Sequence, residues 1–129
     1  MSQQKKTDSQ NANDLTRILT DDGLAQLGDS LLNFAFSMAL TQRTGMPTGT
    51  RVPDKVLAEA AVQAGLRKHL PKRVGRGDVA NSVEALLGFV WLRHQITLDD
   101  ILDCLKTDDT QPSQSFAKLA QLALTRLER

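Results

Sequence analysis

The chain has 129 residues, of which 40% are hydrophobic and 4% aromatic, so it is long enough for about one domain with a core mainly of Leu, Ala, Val and Ile. The formal net charge of +1 excludes a basic surface spread over the whole molecule, so any nucleic-acid-binding surface must be local. One cysteine, Cys104, permits no internal disulfide, and no segment has the pattern of a membrane span or signal peptide; we therefore expect a cytoplasmic protein with Cys104 in its core.

The first predicted elements are helical and follow a polar start. Residues 1–13 have no apolar periodicity, and we expect them to be disordered. The apolar spacing at 15–19 predicts one or two turns of helix, and Asp21 is suited to cap a longer helix that runs to about Gln42. That helix is almost continuously apolar from 31 to 40, which predicts that it is the central, buried helix.

The start of this helix places Asp22, Ala25 and Asp29 on one stripe, at offsets of three and four. Two carboxylates on an otherwise apolar helix are costly to bury unless something pairs with them, and a divalent cation is a common partner. An ordinary amphipathic helix with solvated acids is the alternative. Gly28 costs helix stability, which indicates that a backbone or a ligand approaches closely there.

A loop that bears Gly and Pro is predicted at 44–52, after which Pro53 suits the first turn of another helix and Gly65 its end. The next window, KHLPKRVGR at 68–76, is the most basic part of the chain. It has two interpretations, a solvated loop or a loop that contacts phosphate groups.

A strongly apolar helix is predicted at 77–92, with Asp78 as its N-cap. Glu84 lies in this helix and Asn81 one turn before it, so both can direct oxygen atoms at a shared ion. A site built from Asp29 and Glu84 on two packed helices would suit Mg²⁺ or Mn²⁺, which take carboxylate and water oxygens as ligands.

The C-terminal part of the chain predicts two more helices. Thr97 and Asp100 approximate a capping box for a helix that runs to about Lys106. Ser113 or Ser115 is the predicted cap of the last helix, which has one apolar stripe.

Three ordered stretches of the chain resemble the ribonuclease III family. The family's signature helix, its later alanine-rich helix and its acid-bearing segment are similar to these residues: Leu24, Leu27-Gly28-Asp29-Ser30 and Leu32; Val56-Leu57-Ala58-Glu59-Ala60 and Gly65-Leu66; Ala80-Asn81-Ser82-Val83-Glu84-Ala85-Leu86-Leu87-Gly88 and Trp91-Leu92. The resemblance covers roughly residues 15–106 and is greatest to the small archaeal ribonuclease III-like proteins.

This resemblance implies an all-α fold, with one ribonuclease III-like endonuclease domain of about five to seven helices at 14–129. It also implies a homodimer whose active valley lies along the dimer, and double-stranded RNA as the partner. In the family a Phe of the signature helix helps to lock the dimer, and here that residue is Gln26.

The resemblance further implies a site in which four acids hold metal ions, Mg²⁺ or Mn²⁺, for hydrolysis of RNA phosphodiesters. Asp29 and Glu84 match two of these acids, whereas Ala25 and Asn81 stand where the family has Glu and Asp. Asp22 matches a further acid of the signature. We therefore expect Asp29 and Glu84 as metal ligands, Asn81 as a neutral ligand, and Asp22 or Asp78 as stand-ins for the missing acids.

The basic window supplies the expected phosphate contacts, namely Lys68, Lys72, Arg73 and Arg76. Three functions stay open on the sequence. The chain is a metal-dependent endoribonuclease of double-stranded RNA, or a catalytically impaired RNA-binding or assembly module on the same fold, or a dimeric scaffold without RNA.

Overall fold

The computed structural model describes residues 14–106 and 111–127, so the tail at 1–13 that we expected to be disordered lies outside the described residues. Helix α1 comprises residues 14–19. The later helices are α2, Asp22–Thr44; α3, Asp54–Gln63; α4, Arg76–Leu92; α5, Leu98–Leu105; and α6, Pro112–Leu127, with a 3₁₀ turn at Arg67–His69 between α3 and α4. Within the described ranges no residue belongs to a strand, and the predicted all-α fold is confirmed. None of the described helices is both long enough and apolar enough to cross a membrane.

Helix α4, rather than α2, is the centre of the fold. Ten of the 17 residues of α4 are buried, and it packs against α2, α3 and α6. The prediction that the first long helix is central was wrong, because α2 buries a single stripe of small and apolar residues and leaves Phe34 53% exposed. A helix that is apolar on all sides belongs inside the core, and a helix with one apolar stripe belongs at its surface.

Two glycines bring the backbones of α2 and α4 into contact. A Cβ atom on Gly28 of α2 would overlap the carbonyl oxygen of Glu84, and one on Gly88 of α4 would lie 2.5 Å from the carbonyl oxygen of Leu24. Only glycine permits such an approach, which explains its presence inside a helix despite its cost there. The close approach expected at Gly28 is therefore that of the other helix, and it places the Glu84 backbone beside Asp29.

Residues 45–53, which we call the strap, lead from α2 back to α3 without regular secondary structure. Three side chains of α2 form hydrogen bonds with the main chain of alternate strap residues. The Thr41 hydroxyl bonds to the N–H and the carbonyl of Thr48, and the Ser37 hydroxyl bonds to the same two groups of Thr50. The Asn33 side-chain oxygen accepts from the Val52 N–H at 2.7 Å. The predicted Gly- and Pro-bearing loop is thus a fixed segment along α2.

Two of the predicted helix starts are confirmed. The Asp21 side chain accepts a hydrogen bond from the Leu24 N–H at 2.8 Å and caps α2. Thr97 and Asp100 form a capping box at the start of α5, in which each side chain accepts from the other residue's N–H. Helix α5 ends at Leu105, one residue before the predicted end.

Two other predicted starts were wrong. Helix α4 begins at Arg76 with Gly75 as its N-cap, so Asp78 lies inside the first turn, where its charge favours the helix dipole. Helix α6 begins at Pro112, and Ser113 and Ser115 lie inside it with buried side chains. In α6 the proline takes the first helical position, for which its fixed φ is suited.

Candidate functional site

The acids Asp29 and Glu84 meet where α2 crosses α4. Because Gly28 contacts the Glu84 backbone, the next residue, Asp29, lies at the same crossing. The Glu84 side chain is buried and lies within hydrogen-bond reach of the Asp29 carboxyl. The structure therefore brings together the two carboxylates that the sequence assigned to the site.

The surroundings of Glu84 favour the protonated form of its carboxyl group. The pKa of the Glu84 carboxyl is raised from 4.5 to about 8, mainly by burial and then by the hydrogen bond with Asp29 and the negative charge of Asp29. The charge of Asp54, at the start of α3, acts in the same direction, and Arg51 opposes it. A cation that binds the Glu84 carboxylate near pH 7 must therefore displace a proton.

Asp29 is held on both of its oxygens by residues of this chain. The Asn33 amide donates to Asp29 Oδ1 at 3.1 Å, and the Arg51 guanidinium donates to Oδ2 at 3.4 Å. Neither partner was predicted. Asn33 was detectable, because it lies four residues after Asp29 on the same helix face. Arg51 gave no local signal, because it lies 22 positions away in the sequence.

Asn81 lies one turn before Glu84 on α4, as its spacing predicted, but its amide acts as a donor. The amide satisfies its surroundings when its nitrogen, and not its oxygen, faces Gly77 and Glu84. In that orientation Asn81 donates to the Gly77 carbonyl at 3.2 Å and to Glu84 Oε1 at 3.1 Å. In this arrangement the amide nitrogen, which carries no free lone pair for a metal, faces the site.

A cavity of about 180 Å³ lies beside Ala25. Its wall includes Asp22, Asp78 and Asn81, so both proposed stand-in acids border the space next to Ala25. Asp22 itself is exposed.

The side chains at this site do not fit a centre with two metal ions. Among the residues that the structure describes, no group of three or more His, Cys, Asp or Glu side chains is placed to hold a metal ion. The pKa of Glu84 is raised to about 8, and Asp29 is paired with a guanidinium. Hard divalent cations need several anionic oxygens, which this set does not supply.

The backbone of the basic window is held by the side chain of Arg67, the residue just before it. The Arg67 guanidinium donates to the carbonyl oxygens of Pro71, at 3.1 Å, and Lys72, at 2.8 Å. Lys68, Lys72 and Arg73 are exposed, and the loop residues between them border the cavity beside Ala25. Arg76 differs from these three, because it starts α4 and borders a separate apolar groove of about 440 Å³ on the α3 side.

Comparison with known proteins gives one family match. A protein-family model described as Ribonuclease III matches residues 22–128, which include α2 to α6 and both acids. A comparison with curated proteins gave no significant match.

Proposed function

Because the chain belongs to the ribonuclease III family, we propose that it binds double-stranded RNA and that its site is impaired for metal-dependent hydrolysis. The observation that carries the proposal is the state of the two acids at the α2–α4 crossing. They lie together as a nuclease site requires, but the raised pKa of Glu84 and the pairing of Asp29 with Arg51 both oppose the binding of a metal ion. The family uses divalent metal ions, and Mg²⁺ or Mn²⁺ would be the ion that Asp29 and Glu84 hold, with Asn81 as a neutral neighbour.

The RNA-binding surface that we propose is the loop that carries Lys68, Lys72 and Arg73. All three side chains are exposed, and the bonds from Arg67 to two loop carbonyls fix the backbone on which they stand. A preordered basic loop loses little conformational entropy when it contacts phosphate groups. Arg76, which we also expected to contact phosphate, borders the apolar groove and is a weaker candidate for this role.

Reversing two charges of this loop is expected to weaken binding to duplex RNA about tenfold or more at low salt, equally for all sequences. In the variant Lys72→Glu/Arg73→Glu the plot of log affinity against log salt should become shallower by about two, because each lost phosphate contact contributes about 0.9. Fluorescence anisotropy with a labelled duplex measures both quantities.

The control reverses two other exposed lysines, Lys106 directly after α5 and Lys118 in α6, in the variant Lys106→Glu/Lys118→Glu, and changes the net charge equally. An equal loss in the control would mean that net charge alone governs binding. Unchanged affinity in the loop variant would remove the loop from the interface, and no duplex binding by the unaltered protein would favour a scaffold without RNA.

We also propose a homodimer formed through α2. Leu27 and Phe34 are exposed apolar residues seven positions apart on α2, with Leu31 and Met38 partly buried on the same stripe. A second copy of this helix would cover the stripe, although Gln26 replaces the Phe that strengthens the dimer in the family.

Phe34→Glu is expected to convert a dimer into a monomer at tens of micromolar protein, because a charge cannot be buried unpaired in an apolar interface. Light scattering measures the mass. Val62→Glu is the matched control, since Val62 is an apolar residue of α3 with a similar exposure of 59%. A monomeric mass for the unaltered protein would contradict the proposed dimer.

A further inference from the structure

The contacts of Asp29 lead beyond the proposed function, and the inference rests on the impaired site described there. We propose that the Arg51 side chain occupies the cation position of this site. Its guanidinium takes the place at Asp29 that a divalent metal ion takes in the ribonuclease III family, so that the chain's own strap competes with metal for the acids.

A regular series of hydrogen bonds between α2 and the strap positions Arg51 near Asp29. Residues four apart on a helix are separated by about 6 Å along its axis, and two residues of an extended chain span about 6.6 Å. The two spacings agree, so α2 side chains at steps of four bond to strap residues at steps of two. The bonded pairs run from Thr41 with Thr48 through Ser37 with Thr50 to Asn33 with Val52.

Asp29 is the next α2 residue in this series. Arg51 lies between Thr50 and Val52, whose N–H groups are both bonded to α2, at 2.9 and 2.7 Å. The backbone at Arg51 is therefore fixed on both sides, although its side chain is 78% exposed. Asn33 completes the arrangement, since it bonds both Val52 of the strap and Asp29 of the site.

The acidic side chains around the site favour a cation there. Asp29 and Glu84 share a hydrogen bond, and Asp54 adds a further negative charge nearby. Among the described residues, Arg51 is the cation whose charge acts against this group of acids at Glu84. A metal ion that enters must displace the guanidinium from Oδ2 of Asp29 and must also bind against its positive charge.

Removing the charge of Arg51 should therefore strengthen the binding of Mn²⁺ to the metal-free full-length chain. We expect Arg51→Gln to bind Mn²⁺ about tenfold more tightly than the unaltered protein, measured from the electron paramagnetic resonance signal of free Mn²⁺. Arg51→Lys should bind Mn²⁺ within about twofold of the unaltered protein, because it keeps the positive charge near Asp29. Adding Asp29→Asn to Arg51→Gln should abolish the gain.

The matched control is Arg17→Gln, which removes an arginine that is 81% exposed and pairs with Asp14 on α1. This variant has the same net charge as Arg51→Gln, and its Mn²⁺ affinity should stay within about twofold of the unaltered protein. The proposal is overturned if Arg51→Gln binds no more tightly than Arg17→Gln, including the case in which neither shows detectable binding. It is also overturned if the gain survives Asp29→Asn. Since RNA is absent from this experiment, its outcome is separate from that of duplex binding.

Discussion

Replacing Gly28 by alanine is expected to lower the free energy of unfolding by more than about 3 kcal/mol, or to prevent folding altogether. The new Cβ atom would overlap main-chain atoms of Glu84, which cannot rotate away as the end of a long side chain can. Helices α2 and α4 would have to separate along the contact that holds the centre of the core. The same separation would move Asp29 away from Glu84.

Gly77→Ala is the control for this prediction. Gly77 also lies in a helix, in the first turn of α4, but a Cβ atom there meets open space. Alanine has the higher helix propensity, so Gly77→Ala should leave stability unchanged or raise it by up to about 1 kcal/mol. Urea denaturation followed by circular dichroism measures both variants. A Gly28→Ala variant as stable as the unaltered protein would show that the two backbones do not touch at this point.

The second large effect is expected from restoring the two acids that the family has and this chain lacks. The variant Ala25→Glu/Asn81→Asp should bind Mn²⁺ on the order of a hundredfold more tightly than the unaltered protein. A glutamate at position 25 has space, because Ala25 borders the cavity of about 180 Å³ together with Asn81. Aspartate at position 81 replaces the amide donor to Glu84 with a further negative charge.

The same variant should be less stable than the unaltered protein without metal and should gain more stability when Mn²⁺ is added. Four acids in one place repel one another until a cation binds among them. Thermal unfolding with and without Mn²⁺ measures this difference. Ala25→Gln is the control, since it fills the cavity with a side chain of nearly the same shape and no charge.

Metal binding by the unaltered protein should also depend on pH. The pKa of Glu84 is about 8, so below that value a metal ion must displace its proton. Apparent affinity for Mn²⁺ should therefore rise as the pH rises towards 8, by up to about tenfold per pH unit, and level off above it. Deprotonation favours binding because the carboxylate, and not the carboxylic acid, is the ligand.

Much of the helical framework could be predicted from local patterns. The cap at Asp21 and the capping box at Thr97 are formed by residues within four positions of each other, and the sequence alone identifies such pairs. The starts of α4 and α6 were misplaced, because several residues there are suited to cap a helix. Gly75 caps α4 in place of Asp78, and α6 begins at Pro112, before both serines.

The site was only partly predictable, for a different reason. Asp29 and Glu84 were singled out by spacing and by resemblance, and Gly28 by its cost inside a helix. Arg51 and the strap depend on hydrogen bonds between α2 and residues up to 22 positions away, for which the sequence has no periodic signal. The exposure of Phe34 was missed because an apolar run does not show which of its faces the core covers.

The most direct test of the account is cleavage of duplex RNA in Mn²⁺, read on a denaturing gel. The unaltered protein, Ala25→Glu/Asn81→Asp, and the same double variant with Asp29→Asn are compared at equal concentration. We predict slow or no cleavage by the unaltered protein, faster cleavage by the double variant, and loss of that gain with Asp29→Asn. Efficient cleavage by the unaltered protein that persists in Asp29→Asn and in Glu84→Gln would contradict the placement of the site. A folded double variant that neither binds Mn²⁺ more tightly nor cleaves faster would contradict the claim that two missing acids impair it.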